Sequence, residues 1–234
     1  MTAQLAERTR HALVVTTFLT LDGVMQGPGG PEEDPSGGFE YGGWLVPHAD
    51  DDMGRQMVEW FSGAEDFLLG RGTYEIFAGF WPKVPTESDP IAKALNTLPK
   101  HVASRTLDRV DWEGARLIQG DVVEGVRTLK QRDGGELQVH GSAGLIQTLL
   151  QNDLVDELRL IVFPVVVGEG KRLFADGTIP AGMRLASSST TSTGAVILSY
   201  ERAGKLQTGT FEQDDQGAVQ AAASDGVGGP DAST

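Results

Sequence analysis

Three stretches of the chain place glycine beside a hydroxyl or a guanidinium where an apolar run gives way to helix-like spacing. The first is Leu68-Leu69-Gly70-Arg71-Gly72-Thr73-Tyr74-Glu75. A strand that enters a helix through glycines presents free backbone amides and the positive end of the helix dipole; Arg71 adds a full charge, so the chemistry on offer is anion binding. The second, Val102-Ala103-Ser104-Arg105-Thr106, sets two hydroxyls around a guanidinium at a strand end, which suits a phosphomonoester. The third, Val139-His140-Gly141-Ser142-Ala143-Gly144-Leu145-Ile146, enters a helix without a bulky polar side chain and lets a pyrophosphate come close to the helix amides. Its spacing is not G-x-G-x-x-G, so a Rossmann dinucleotide site is not indicated. Each motif alone also fits an ordinary turn or a solvated strand end. Three of them on successive strand ends are less easily dismissed than one.

Candidates for proton chemistry are His140, at the end of a strand, Asp22, in an Asp-Gly turn, and Asp51, in the run Asp50-Asp51-Asp52. Each has a plainer alternative: a packed histidine, a turn former, and a helix-capping aspartate. Trp44 and Trp81 are candidates to line an aromatic slot for a planar heterocycle, or else they fill core. His48 near the three aspartates resembles a metal cluster only superficially, and no metal site is expected.

Alternating strands and helices must position these residues. His11 to Leu21 reads as a buried strand, Ala49 to Ser62 as an amphipathic helix, Asp66 to Gly70 as a strand and Arg71 to Ala78 as a helix. His101 to Ser104, Ala115 to Gln119 and Leu137 to His140 read as strands, and Val122 to Gln131 and Ala143 to Gln151 as helices. Leu158 to Val167 is apolar enough for a central strand covered on both faces. Arg184 to Thr191 and Ala195 to Arg202 read as a closing hairpin around Ser192-Thr193-Gly194. The Gly-, Pro- and acid-rich run from Gly27 to Gly43 is a long surface loop, either a flexible lid or an inert insertion.

With 234 residues, the chain suits one substantial domain. We expect an N-terminal extension over 1–10, one domain over 11–203, and a disordered acidic tail over 204–234. The net charge of -14 argues against nucleic acid as a partner. The tail's five acids and one lysine account for part of it, leaving the folded part at about -10. The absence of cysteine removes disulfides, thiolate nucleophiles and cysteine-ligated zinc, and with them a zinc deaminase domain. No stretch reads as a membrane span or a signal peptide, so the cytoplasm is expected.

In this order and spacing the three turns resemble the cofactor-binding segments of dihydrofolate reductases, a resemblance that implies NADPH rather than NADH. Leu19-Thr20-Leu21-Asp22-Gly23, Leu154-Val155-Asp156-Glu157-Leu158, and Pro164-Val165-Val166-Val167-Gly168-Glu169-Gly170 with Leu173-Phe174 are similar to the reductase half of the bifunctional riboflavin-biosynthesis deaminase/reductase. The likeness spans roughly His11 to Arg202 and is greatest to stand-alone members of the dihydrofolate-reductase family. It implies a three-layer α/β/α fold with a mixed, mostly parallel sheet and a C-terminal antiparallel hairpin. It places Gly70, Arg71 and Thr73 near the nucleotide phosphates, Ser104, Arg105 and Thr106 near the 2′-phosphate, and Gly141, Ser142, Ala143, Gly144 and Leu145 on the pyrophosphate. Asp22 and His140 would face nicotinamide and substrate. The riboflavin reductases carry a glutamate where His140 stands, and their substrate segment is replaced here by Thr73 to Pro82. The implied activity is hydride transfer to a C=N or C=O bond of a pyrimidine- or pterin-like substrate by a homodimer, resembling 5-amino-6-(5-phosphoribosylamino)uracil reductase. The alternatives are a non-catalytic nucleotide binder on the same fold and a pterin reductase.

Overall fold

The structure is a computed structural model and describes residues 11–213 and 219–223. The expected N-terminal extension over 1–10 lies outside the described residues. Strand β1 (Ala12–Thr20) is buried along most of its length, and its alternating Val, Thr and Leu side chains suit a strand covered on both faces. On one side it pairs in parallel with β5 (Glu136–His140), and on the other with β6 (Glu157–Phe163). The parallel sheet continues outward from β5 through β2 (Ala64–Gly70), β3 (Lys100–Ala103) and β4 (Ala115–Leu117). Beyond β6 the sheet turns antiparallel through β8 (Val196–Arg202) and ends on β7 (Met183–Thr190). The eight-strand order is β4-β3-β2-β5-β1-β6-β8-β7, the mixed, mostly parallel sheet with an antiparallel hairpin that the sequence indicated.

Helices cover both faces. Against one face, α1 (Asp51–Ser62), α2 (Arg71–Phe80) and α3 (Pro90–Thr97) build an aromatic core around Trp60, Phe61, Phe67 and Phe163. Against the other, α4 (Val122–Lys130) and α5 (Ala143–Gln151) pack aliphatic side chains on Leu13, Val15, Leu137 and Val139. The chain leaves β1 for β2 over the aromatic face and leaves β5 for β6 over the aliphatic one. A crevice therefore opens beyond the carboxyl ends of β1, β2 and β5.

Four local features differ from the sequence reading. Helix α3 has no counterpart in it, although Asp89 caps the helix and Pro90 opens it. β6 stops at Phe163 because Pro164 offers no amide to continue the ladder. The run from Gly27 to Gly43 is a packed strap, not a loose lid. Phe39 is buried within it, Gln26 donates to the carbonyls of Asp34 and Ser36, and a Cβ at Gly42 would lie 2.6 Å from the Gly30 carbonyl oxygen. Within the tail expected to be disordered, β9 (Gly209–Gln213) and β10 (Val219–Ala223) form a separate antiparallel pair. Residues 214–218 and 224–234 of that tail lie outside the described residues.

Candidate active site

The crevice has a volume of about 1170 Å³. All three anion-suited turns reach it: Gly70, Arg71 and Thr73 after β2, Ser104 and Arg105 after β3, and Gly141 to Leu145 after β5. The first and third interlock because β2 and β5 are neighbours. The Ser142 amide donates to Thr73 Oγ1 at 2.9 Å; the Ser142 hydroxyl accepts from the Gly70 amide at 2.9 Å and donates to the His140 carbonyl at 3.1 Å. To do this Gly141 and Ser142 both take left-handed backbone angles, with φ of 54° and 62°. A non-glycine residue in that region is strained, and here the strain sits at the mouth of α5.

The helix starts divide by location. α1, α3 and α4 are capped by the side chains of Asp50, Asp89 and Asp121. α2 and α5, which open on the crevice, have no side-chain cap. Ser142 occupies the cap position of α5, but its hydroxyl is engaged elsewhere. The first-turn amides of two adjacent helices are thus turned toward the crevice with their dipoles, an arrangement that favours a phosphate-bearing ligand.

Arg71 is steadied by Glu75, at 2.8 Å, and donates to Thr106 Oγ1 at 2.7 Å. Thr106 does not line the crevice itself; it ties the loop after β3 to the start of α2. Ser104 Oγ accepts from the amides of Thr106 and Leu107, which shapes that loop. Arg105 is exposed at the crevice rim, and its guanidinium has no partner among the described residues.

His140 lines the floor, is only 5% exposed, and stacks on Phe61 at 4.5 Å. Burial, helped by the charge of Arg159, lowers its pKa to about 3, so it is neutral at physiological pH. A neutral imidazole of that kind is a hydrogen-bonding group and not an acid. Trp81 also lines the crevice.

Three sequence candidates are placed elsewhere. Asp22 accepts from the Thr20 hydroxyl at 2.6 Å and from the amides of Val167 and Gly168, so it clasps the β6 exit loop outside the crevice lining. These hydrogen bonds, Thr20 first, keep its carboxyl below the usual range. Asp51 opens α1 on its exposed side, while its neighbours Asp50 and Asp52 hold the β7–β8 turn at Ser192 and Thr193. Trp44 is buried core, donating from Nε1 to the Gln26 carbonyl at 2.8 Å.

A pair of carboxyls missed in the sequence stands at the crevice instead. Burial raises the pKa of Glu33 despite the amides of Gly29 and Gly30. Burial also acts on Asp34, but the Lys171 ammonium and the Ser36 hydroxyl outweigh it and hold that carboxyl low. The two adjacent carboxyls are thus shifted in opposite directions, Glu33 up and Asp34 down. The signal in the sequence was Glu32-Glu33-Asp34 inside the Gly- and Pro-rich loop. Among the described residues no group of histidines and carboxylates could hold a metal ion, and no helix is long and apolar enough to cross a membrane.

The RibD C-terminal domain model matches residues 11–197. The chain belongs to that family. It is 30% identical over 202 residues to the Bacillus subtilis protein YyaP, covering 86% of this chain and 98% of that one. Among solved structures, the Thermotoga maritima diaminohydroxyphosphoribosylaminopyrimidine deaminase/5-amino-6-(5-phosphoribosylamino)uracil reductase matches with a TM-score of 0.56 at 16% identity, over 83% of this chain and 57% of that one. Enterococcus faecalis dihydrofolate reductase, in complex with NADP(H) and RAB-propyl, matches with a TM-score of 0.51 at 14% identity, over 82% and 96%. The RibD-type chain thus has the dihydrofolate-reductase-like fold that its motifs suggested.

Proposed function

We propose that this RibD-type protein is an NADPH-dependent reductase that delivers a hydride to a C=N or C=O bond of a small pyrimidine- or pterin-like heterocycle. The observation that carries the reading is the convergence of three anion-suited turns on one crevice, two of them uncapped helix starts locked together by Thr73 and Ser142. The residues fit the cofactor: the first turns of α2 and α5 would hold the phosphates, and the free guanidinium of Arg105 would meet the 2′-phosphate, with Thr106 steadying Arg71 alongside. When bound, NADPH supplies the hydride; the protein aligns, excludes water and moves one proton.

That proton is assigned to Glu33. It is the crevice carboxyl whose pKa is raised, whereas His140 is neutral and Asp22 and Asp51 stand outside the lining. Trp81 and Phe77 flank the space for a planar ring. The resemblance to family members further leads us to propose a homodimer.

NADPH oxidation against a panel of pterins, aminopyrimidines and simple carbonyls tests the activity. Turnover is expected with a heterocycle; tight NADPH binding with no oxidation of the panel would favour a nucleotide-binding protein. Arg105→Ala should weaken NADPH by roughly 1.5 to 3 kcal/mol, the range of a charge-assisted contact, and leave NADH nearly unchanged. Equal losses for both nucleotides would refute the 2′-phosphate assignment.

A further inference from the structure

The hydrogens around His140 can be counted. Gln138 Nε2 donates to the Trp60 carbonyl at 2.6 Å and to Glu136 Oε2 at 2.6 Å, which uses both of its hydrogens. The reverse amide orientation would press its oxygen against that carbonyl and that carboxylate, so the orientation is fixed. Gln138 Oε1 therefore faces His140 Nε2, at 3.0 Å, as an acceptor, and Nε2 must carry the proton. Glu136 is itself pinned: Arg159 donates to both of its oxygens, at 2.6 and 2.8 Å, and also to Glu157. Burial would deprotonate this guanidinium more easily, but the two carboxylates outweigh it and raise its pKa, so the relay ends on a permanent cation.

A neutral histidine protonated on Nε2 has a bare lone pair on Nδ1. That atom has no partner among the described residues. Nor is it one of their buried polar atoms without a partner, which are the two ring nitrogens of His11 and the hydroxyl of Thr16. Nδ1 is thus open to the crevice that its ring lines. Thr16 pairs in register with His140 across β1 and β5, so both side chains share one face of the sheet. Thr16 also lines the crevice, 2% exposed, with no partner for its hydroxyl. The floor thereby sets a fixed acceptor on the same sheet face as a hydroxyl that is itself buried.

We propose that the Arg159–Glu136–Gln138 relay holds His140 as the Nε2–H tautomer, so that Nδ1 is a permanent acceptor selecting heterocyclic substrates that present a ring N–H donor. This deepens the reductase reading by naming the substrate edge and rests on that reading for its catalytic meaning. His140 reads the substrate, Glu136, Gln138 and Arg159 are positioning residues, and none of the four passes a proton in the reaction.

The test is long-range proton–nitrogen NMR on the full chain labelled at its four histidines. His140 is assigned with H140Q or, should that variant not fold, by elimination with H11Q, H48Q and H101Q. We expect His140 to show a protonated Nε2 and a bare Nδ1, unchanged between pH 7 and 5. A protonated Nδ1 overturns the tautomer assignment. The probes are 2-amino-4-pyrimidinone and its N3-methyl derivative. The first should shift the Nδ1 resonance and bind about tenfold more tightly than the second; no Nδ1 response to either probe overturns the selecting role. Both readouts are independent of turnover, so failure of the reductase reading leaves them standing.

Discussion

His140 and Glu33 share the crevice but answer pH in opposite senses. His140 has a folded pKa of about 3 against an ordinary 6.5, so the folded state binds fewer protons than the unfolded chain between those values. Its contribution to stability is complete above about pH 6.5 and is lost as pH falls toward 3. The stability gap between wild type and H140Q in urea titrations should therefore close with acid, by something on the order of a few kcal/mol; parallel curves would contradict a buried neutral histidine. Glu33, raised by burial, has to be protonated to act as an acid. The rate of the wild type should decline as pH rises through that raised pKa, and Glu33→Gln should lose that limb together with about 10² or more in kcat/KM. A pH profile unchanged by the substitution would remove Glu33 from the chemistry. Only one of these residues was legible from the sequence. His140 belongs to a local turn motif, and the alternation Glu136, Gln138, His140 on one strand face already hints at its relay. Glu33 becomes meaningful only once the strap folds over the crevice, a long-range event that no local pattern encodes.

At the level of the element, the βα turns were readable because their requirement is local: glycine and a small hydroxyl where a strand must enter a helix without blocking the amides. Two glycines in the same turn separate folding from binding. A Cβ on Gly141 would sit 3.2 Å from Thr73 Oγ1 in a backbone region with φ of 54°. Gly141→Ala should therefore lower stability by about 1–2 kcal/mol and also misplace the start of α5. Gly144 lies in the first turn of α5 and lines the crevice, and a Cβ added there would meet nothing within 4 Å. Gly144→Ala should leave stability equal or improved by up to about 1 kcal/mol, since alanine is the better helix former, while weakening NADPH. Thermal melts paired with nucleotide titrations check this; loss of stability with unaltered binding at Gly144 would displace the phosphate from α5. The same local logic explains what went unread. The Asp89 cap and Pro90 mark α3 clearly, yet its short apolar pattern sits between two prolines and a polar loop. The strap's glycines signalled a loop but not that Phe39 and Gln26 would pin it.

For the whole molecule, the sheet is finished at one end and unfinished at the other. β4 is only three residues long, which limits what can pair with it. β7 runs eight residues at the opposite edge, and all but Met183 are exposed, Leu185 at 48%. No described helix covers it, since α1, α2 and α3 and the α4–α5 pair pack toward the parallel strands. Its register shift between Leu185 and Ser187 bends the edge and discourages indefinite strand addition, so what this end favours is one closed, symmetric contact. The homodimer proposed above would cover β7, and both features allow it. Sedimentation should give a dimer for the wild type, and Leu185→Lys should shift it toward monomer with little change in secondary structure, because the side chain it replaces is already exposed. A wild type that stays monomeric at all concentrations contradicts the dimer, and a dimer indifferent to Leu185→Lys moves the contact away from β7. Neither β7 nor β8 contributes to the crevice lining, so the monomeric variant should still bind NADPH with undiminished affinity, which separates assembly from the cofactor site.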